Sequence, residues 1–101
     1  MKPKQPIQEC ELCLQDRDLS FHHLIPRKLH RRSHFKKKYS KADLSQGIFI
    51  CSLCHRGLHK LYDEMTLGKH FLNRESILGD PSLAKHIAWS ARQKIKKGKN
   101  N

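Results

Sequence analysis

Residues 51 to 59 read Cys51-Ser52-Leu53-Cys54-His55-Arg56-Gly57-Leu58-His59, a metal-binding knuckle that runs straight into a helix. The Cys-x-x-Cys half is a tight turn that aims two thiolates at one ion. The second half starts a helical pattern, because Leu58, Leu61, Tyr62 and Met65 recur at i, i+3, i+4 and i+7. His55 and His59 share one face of that helix, beside the apolar stripe rather than within it. A second knuckle, Cys10-Glu11-Leu12-Cys13, lies upstream, with 37 residues between Cys13 and Cys51. No cysteine is left over. Four thiolates suit a tetrahedral zinc site with no open coordination position, hence a structural one that clamps the ends of the insert together. The alternatives are disulfides, which need an oxidising compartment, or a redox motif, which needs a βαβ context that is missing here.

Inside the insert, Leu19-Ser20-Phe21-His22-His23-Leu24-Ile25 reads as a short strand ended by Pro26. Gly47-Ile48-Phe49-Ile50 reads as a second strand leading into the second knuckle. Neighbours on a strand point to opposite sides. One histidine of the His22-His23 pair can therefore ligate an ion together with His55 and His59, while the other stands free as a base. A metal with open positions beside a free imidazole is equipment for metal-assisted hydrolysis.

The charge names a class of partner. The 101 residues carry 21 Lys and Arg against 9 Asp and Glu, a net charge of +12. So basic a small domain attracts polyanions, and nucleic acid leads because phosphate neutralisation supplies most non-specific affinity. Anionic lipid is the weaker alternative, since no amphipathic basic helix with an aromatic face is present. From Arg27 to Lys41 eight of fifteen residues are Lys or Arg, with Leu29, Phe35 and Tyr39 interleaved, so the run is not read as a disordered tail. Arg27, Lys28, Arg31, Arg32, Lys36, Lys37 and Lys38 are the expected phosphate contacts, positioning DNA without reading its sequence. No apolar run approaches a membrane span, and no apolar leader follows Met1, which gives the expectation of a cytoplasmic protein.

Taken in order, CxxC, HHLIPR and CxxCHxxxH resemble the HNH endonucleases of the ββα-metal (His-Me finger) fold, in their short zinc-stapled bacterial and phage branch. The motifs cover about residues 9–62. The resemblance implies a small α+β fold: a ββα-metal core over about 19–65, stapled by the four-cysteine zinc site, with further C-terminal helices over about 67–93. The nuclease domain would then span 9–93, between a flexible arm at 1–8 and a basic tail at 94–101. It further implies that His23 is the general base, that His22, His59 and His55 hold the catalytic metal, and that the products carry 5′-phosphate and 3′-hydroxyl ends. Gln46 stands where many members have the Asn that orients the base. His22 stands where many have Asp, which softens the site. The expected catalytic ion is therefore Mn2+, Ni2+ or Zn2+ in preference to Mg2+.

A lone site of this kind cuts one strand, so a monomer or weak dimer would nick DNA with weak sequence specificity. The competing readings are a non-catalytic zinc-ribbon protein on nucleic acid and a degenerate nuclease fold that recruits partners. His30, His34, His70 and His86 are read as non-catalytic, the first two beside phosphate and the last two on the surface. Downstream, Thr66 is the expected cap of a short helix carrying Leu67, His70 and Phe71. Asp80-Pro81 is the expected start of a last helix, with Ala84, Ala88, Ala91 and Ile95 at helical spacing, Leu83, Ile87 and Trp89 widening the apolar face, and Trp89 as a core anchor.

Overall fold

The two strands of the insert come together as an antiparallel hairpin in a computed structural model that describes residues 9–94. The expected arm at 1–8, and Ile95 with the rest of the basic tail, lie outside the described residues. Strand β1 (Leu19–His23) pairs with β2 (Gly47–Cys51), with Leu19 opposite Cys51, Phe21 opposite Phe49 and His23 opposite Gly47. Position 47 needs glycine because a Cβ there would strike the His22 carbonyl oxygen and the Phe21 ring.

The chain between the strands folds into a 3-10 turn at Arg27–Leu29, helix α1 (Ser33–Lys38) and helix α2 (Lys41–Leu44). Ser40 and Asp43 form a reciprocal capping box at the start of α2. Leu29 and Phe35 bury against Ile25 and Leu44, a small core of their own. That core explains why a run with eight cations is ordered: its few apolar residues all point inward.

Helix α3 (Ser52–Leu61) follows β2 without a loop, Cys51 serving as its N-cap. Helices α4 (Glu64–His70), α5 (Arg74–Leu78) and α6 (Pro81–Arg92) complete the layer, and α6 packs along α3. Ile48 and Ile50 of β2, Leu58, Leu67, Ile77, Leu83 and Ile87 share one main core with the four cysteines. The result is a small α+β fold. No helix among the described residues is long and apolar enough to cross a membrane.

Four expectations are corrected. The apolar stripe predicts one helix through Met65, but Tyr62 is extended (φ −137°, ψ 145°) and Asp63 caps a new helix. The Tyr62 hydroxyl donates to the Asp80 carboxylate at 2.9 Å and its ring packs 5.0 Å from Phe71, which holds the break. The cap of α4 is accordingly Asp63, whose carboxylate accepts from the Thr66 backbone N–H at 2.8 Å; Thr66 itself sits inside the helix. On α6 Asp80 and Pro81 start the helix and Leu83 and Ile87 are buried, both as expected, and Ser90 joins them on the buried face. Trp89 is turned out of that face and stays 43% exposed, so it is no core anchor. His86 is half-buried rather than on the surface, its Nε2 bonded to the Leu53 carbonyl oxygen at 2.9 Å.

Candidate metal centres and basic cleft

Cys10, Cys13, Cys51 and Cys54 are all buried, with their sulfurs within 4.8 Å of one another. Each pair is placed by local backbone. Cys10 accepts the backbone N–H groups of Leu12 and Cys13 at 3.4 Å, and Leu14 closes the knuckle at φ 65° with its N–H on the Cys10 carbonyl. Cys51 ends β2 and Cys54 lies in the first turn of α3. The thiols are free, and Cys13 and Cys51 stand 3.7 Å apart, too far for a disulfide. Sulfurs about 3.8 Å apart are the edges of a tetrahedron with metal–sulfur bonds of about 2.3 Å. The four cysteines can hold a metal ion.

A residue that sequence reasoning missed completes this site. Arg17 is only 5% exposed, and its Nη1 donates to Cys51 Sγ at 3.4 Å, Cys13 Sγ at 3.5 Å and Ser90 Oγ at 3.1 Å. Its Nη2 donates to the carbonyl oxygens of Ser90 at 2.7 Å and Gln93 at 2.6 Å. Burial works against the guanidinium charge, yet the hydrogen bond to Cys51 and the field of the thiolates outweigh it and hold Arg17 protonated. Ser90, fully buried, lies 3.5 Å from Cys54 Sγ. The C-terminal end of α6 is thus tied to the cysteine cluster. The available signal was a polar Ser90 three residues after Ile87, on the buried face of an apolar helix.

The second cluster gathers His22 from β1 with His55 and His59 from α3. Their ligand nitrogens lie within 4.8 Å of one another, and ring centroids are 5.1 to 5.6 Å apart. Ser20 Oγ lies 3.1 Å from His55 Nδ1, which orients that ring and leaves Nε2 for a ligand. Burial, then the fields of His55, His59 and His23, push His22 down to about 3. Burial and His59 push His55 below its ordinary value. Both imidazoles are therefore neutral at pH 7, the form that binds metal. Three imidazole nitrogens fit an open-sided site for a borderline divalent ion.

His23 stands apart from this cluster but lines the same cavity, about 390 Å3, with Arg27, Lys28 and Glu64. Its ring lies 5.0 Å from Phe21 and 5.7 Å from His30, and burial, then His30 and Arg27, hold it below its ordinary value. Gln46 is exposed. Its side-chain amide donates to the Ala42 carbonyl oxygen at 3.3 Å, and its own backbone carbonyl accepts from the Leu24 N–H at 3.1 Å, so it meets the segment that carries His23 through backbone.

The seven expected phosphate contacts are all exposed: Arg27 and Lys28 on the 3-10 turn, Lys36, Lys37 and Lys38 on α1, and Arg31 and Arg32 between the two. Arg27 and Lys28 reach the three-histidine cavity, where Lys28 pairs with Glu64 at 3.1 Å. Arg27 and Lys36 line a second cavity on the far side of His23, and Lys38 lies over the Tyr39 ring. Arg31, Arg32 and Lys37 line neither. Among the other histidines, His34 and His70 are exposed, and His30 bonds the Ile25 carbonyl oxygen at 2.7 Å.

No family model and no solved structure matches the chain. A Bacillus subtilis (strain 168) protein described as uncharacterized protein YisB is 29% identical over 91 residues, 89% of this chain and 80% of that one.

Proposed function

We propose that this protein is a metal-dependent HNH-type endonuclease that hydrolyses DNA phosphodiester bonds, with β1, β2 and α3 as its ββα-metal core. One observation carries the reading: His22, His55 and His59 converge within 4.8 Å, and His23 lines the same cavity without joining them. In this reading the cysteine cluster holds a structural Zn2+, in a reducing cytoplasm where free thiols persist.

His22, His55 and His59 would hold a divalent ion, which when bound would supply charge stabilisation at the phosphate and the leaving oxygen. His23, neutral at pH 7, takes the proton of the attacking water on a ring nitrogen. Arg27 and Lys28 line the cavity as cations for the phosphate. Water adds to phosphorus and the 3′ oxygen leaves, giving a 5′-phosphate and a 3′-hydroxyl.

A second reading, a non-catalytic zinc-ribbon protein on nucleic acid, draws support from the Gln46 side chain, which bonds Ala42 rather than His23. Nicking of supercoiled plasmid with Mg2+, Mn2+, Ni2+ or Zn2+, with His23→Ala alongside, separates the two. Open circles that require metal and vanish in the variant support the nuclease. A shifted gel band without cleavage under any metal moves the protein to the second reading.

A further inference from the structure

The second cavity beside His23 is larger than a phosphate needs. It encloses about 600 Å3 and is walled by His23, Arg27, Lys36, Tyr39, Lys41 and Leu44. Cavities of roughly 300 to 1,000 Å3 hold whole organic ligands. Three cations here face an aromatic and an aliphatic side chain. A basic rim that follows a backbone, joined to an aromatic on which a base can stack, is the composition of single-strand binding grooves.

Position adds a constraint. His23 and Arg27 line both cavities, so whatever enters the second lies next to the group bound in the first. His30, on the wall of the second, has its ring 5.7 Å from that of His23. Tyr39 is half-buried, its ring stacked on Phe35 at 6.3 Å and 20° with Lys38 Nζ 5.7 Å from its centroid, so a base stacking on it takes the place of that ammonium.

A continuous duplex shows such a pocket only its phosphates and sugars. A base reaches it only after leaving the stack, which costs a few kcal/mol in a paired strand and little in an unpaired one. We infer that this cleft seats an unpaired nucleotide of the DNA strand next to the scissile phosphate, its base on Tyr39 and Leu44 and its phosphate on Arg27, Lys36 and Lys41. The preferred substrate is then single-stranded or branched DNA. This rests on the phosphodiester reading of the neighbouring site.

The test measures binding of the full chain, without added divalent metal, to a labelled twelve-nucleotide single strand, its duplex and a duplex with a 3′ flap. Single strand and flap bind about tenfold more tightly than duplex. Tyr39→Ala removes most of that preference and changes duplex binding less than about twofold, while Tyr39→Phe retains it. Equal losses on all three substrates, or none, would overturn the cleft. Should Tyr39→Ala fail to fold, 2-aminopurine in the single strand reads the wild-type protein instead. Its emission is quenched on binding when the base stacks, and unchanged emission counts against the proposal. Plasmid nicking that is lost in His23→Ala but indifferent to Tyr39→Ala, with no preference for unpaired strands, removes the cleft and keeps the nuclease. A Tyr39-dependent preference without any nicking keeps the cleft and removes the nuclease.

Discussion

The Arg17 guanidinium lies 3.4 Å from the sulfur of Cys51 and ties it to the last helix through Ser90 and Gln93. Four thiolates around a divalent ion leave a net charge of about −2 in the core, which burial makes expensive unless a cation sits beside it. Arg17→Met therefore removes the compensating charge and leaves two inward carbonyl groups without their donor. The expected loss is about 3 kcal/mol of stability and at least tenfold in zinc affinity, read by thermal melting and by competition with a chromogenic chelator. Arg17→Lys keeps the charge without the fork and falls between. Wild-type zinc retention in Arg17→Met would refute the role.

This contact also marks where the sequence stops being readable. The knuckles, the strand with His22-His23 and the pair His55 and His59 are legible because their spacing is local. Two thiolates three apart or two imidazoles four apart meet whatever the rest of the chain does. Arg17 meets Ser90 across 73 positions, which no local pattern encodes. The end of α3 is likewise fixed at a distance, by the bond from Tyr62 to Asp80, so the apolar stripe runs through a break it cannot announce. Trp89 looks like a core anchor by apolar character alone, but phase decides: Leu83, Ile87 and Ser90 set the buried face of α6.

Metal removal is expected to unfold the domain rather than silence it. The cysteines sit within the main core beside Leu58 and Ile87, so in the proposed structural-zinc reading the free energy of binding the ion is folding free energy. The purified chain should retain one zinc, and a strong chelator should abolish both the zinc signal and the helical circular dichroism. Cys10→Ser should behave as the chelated protein does, whereas His59→Ala should keep its zinc. A chain that stays helical after its zinc has gone would contradict the clamp.

Under the proposed nuclease reading the pH profile follows from His23. A general base must be unprotonated, and burial with the fields of His30 and Arg27 lowers its value from the ordinary 6.5. The acid limb of kcat/KM for nicking should lie below that value, with a plateau through pH 7. Removing a positive neighbour lets the value rise. His30→Gln and Arg27→Gln should both move the limb to higher pH, His30→Gln further, because His30 is the larger electrostatic cause. A limb that stays put in both variants would mean that another group is being titrated.

The three-histidine site should be selective among ions. Neutral imidazole nitrogens favour Ni2+, Zn2+ and Mn2+, whereas Mg2+ prefers oxygen. Titration calorimetry on zinc-loaded protein should rank Mg2+ last, and His22→Asp should narrow the gap by adding a carboxylate. His59→Ala should weaken Ni2+ by at least about tenfold, or 1.4 kcal/mol. Tightest binding of Mg2+ to the wild type would overturn the assignment.

The docking of α6 on α3 gives a prediction whose sign depends on one side chain. A Cβ at Gly57 would strike the His86 ring, whose Nε2–H donates a hydrogen bond to the Leu53 carbonyl oxygen. Alanine in a helix interior is worth about 1 kcal/mol over glycine. In Gly57→Ala, however, the displaced ring loses a bond of about 1 kcal/mol and must repack at a further cost of about 1 kcal/mol. The single variant should be destabilised by about 1 kcal/mol in urea unfolding. With His86→Ala already in place the ring is gone, and adding Gly57→Ala should stabilise instead, by up to about 1 kcal/mol. The reversal is a coupling energy between the two positions, measurable as a double-mutant cycle. Equal effects in both backgrounds would show that something other than His86 holds residue 57 to glycine. The same helix carries Cys54, His55 and His59, so a destabilised α3–α6 contact should also loosen zinc.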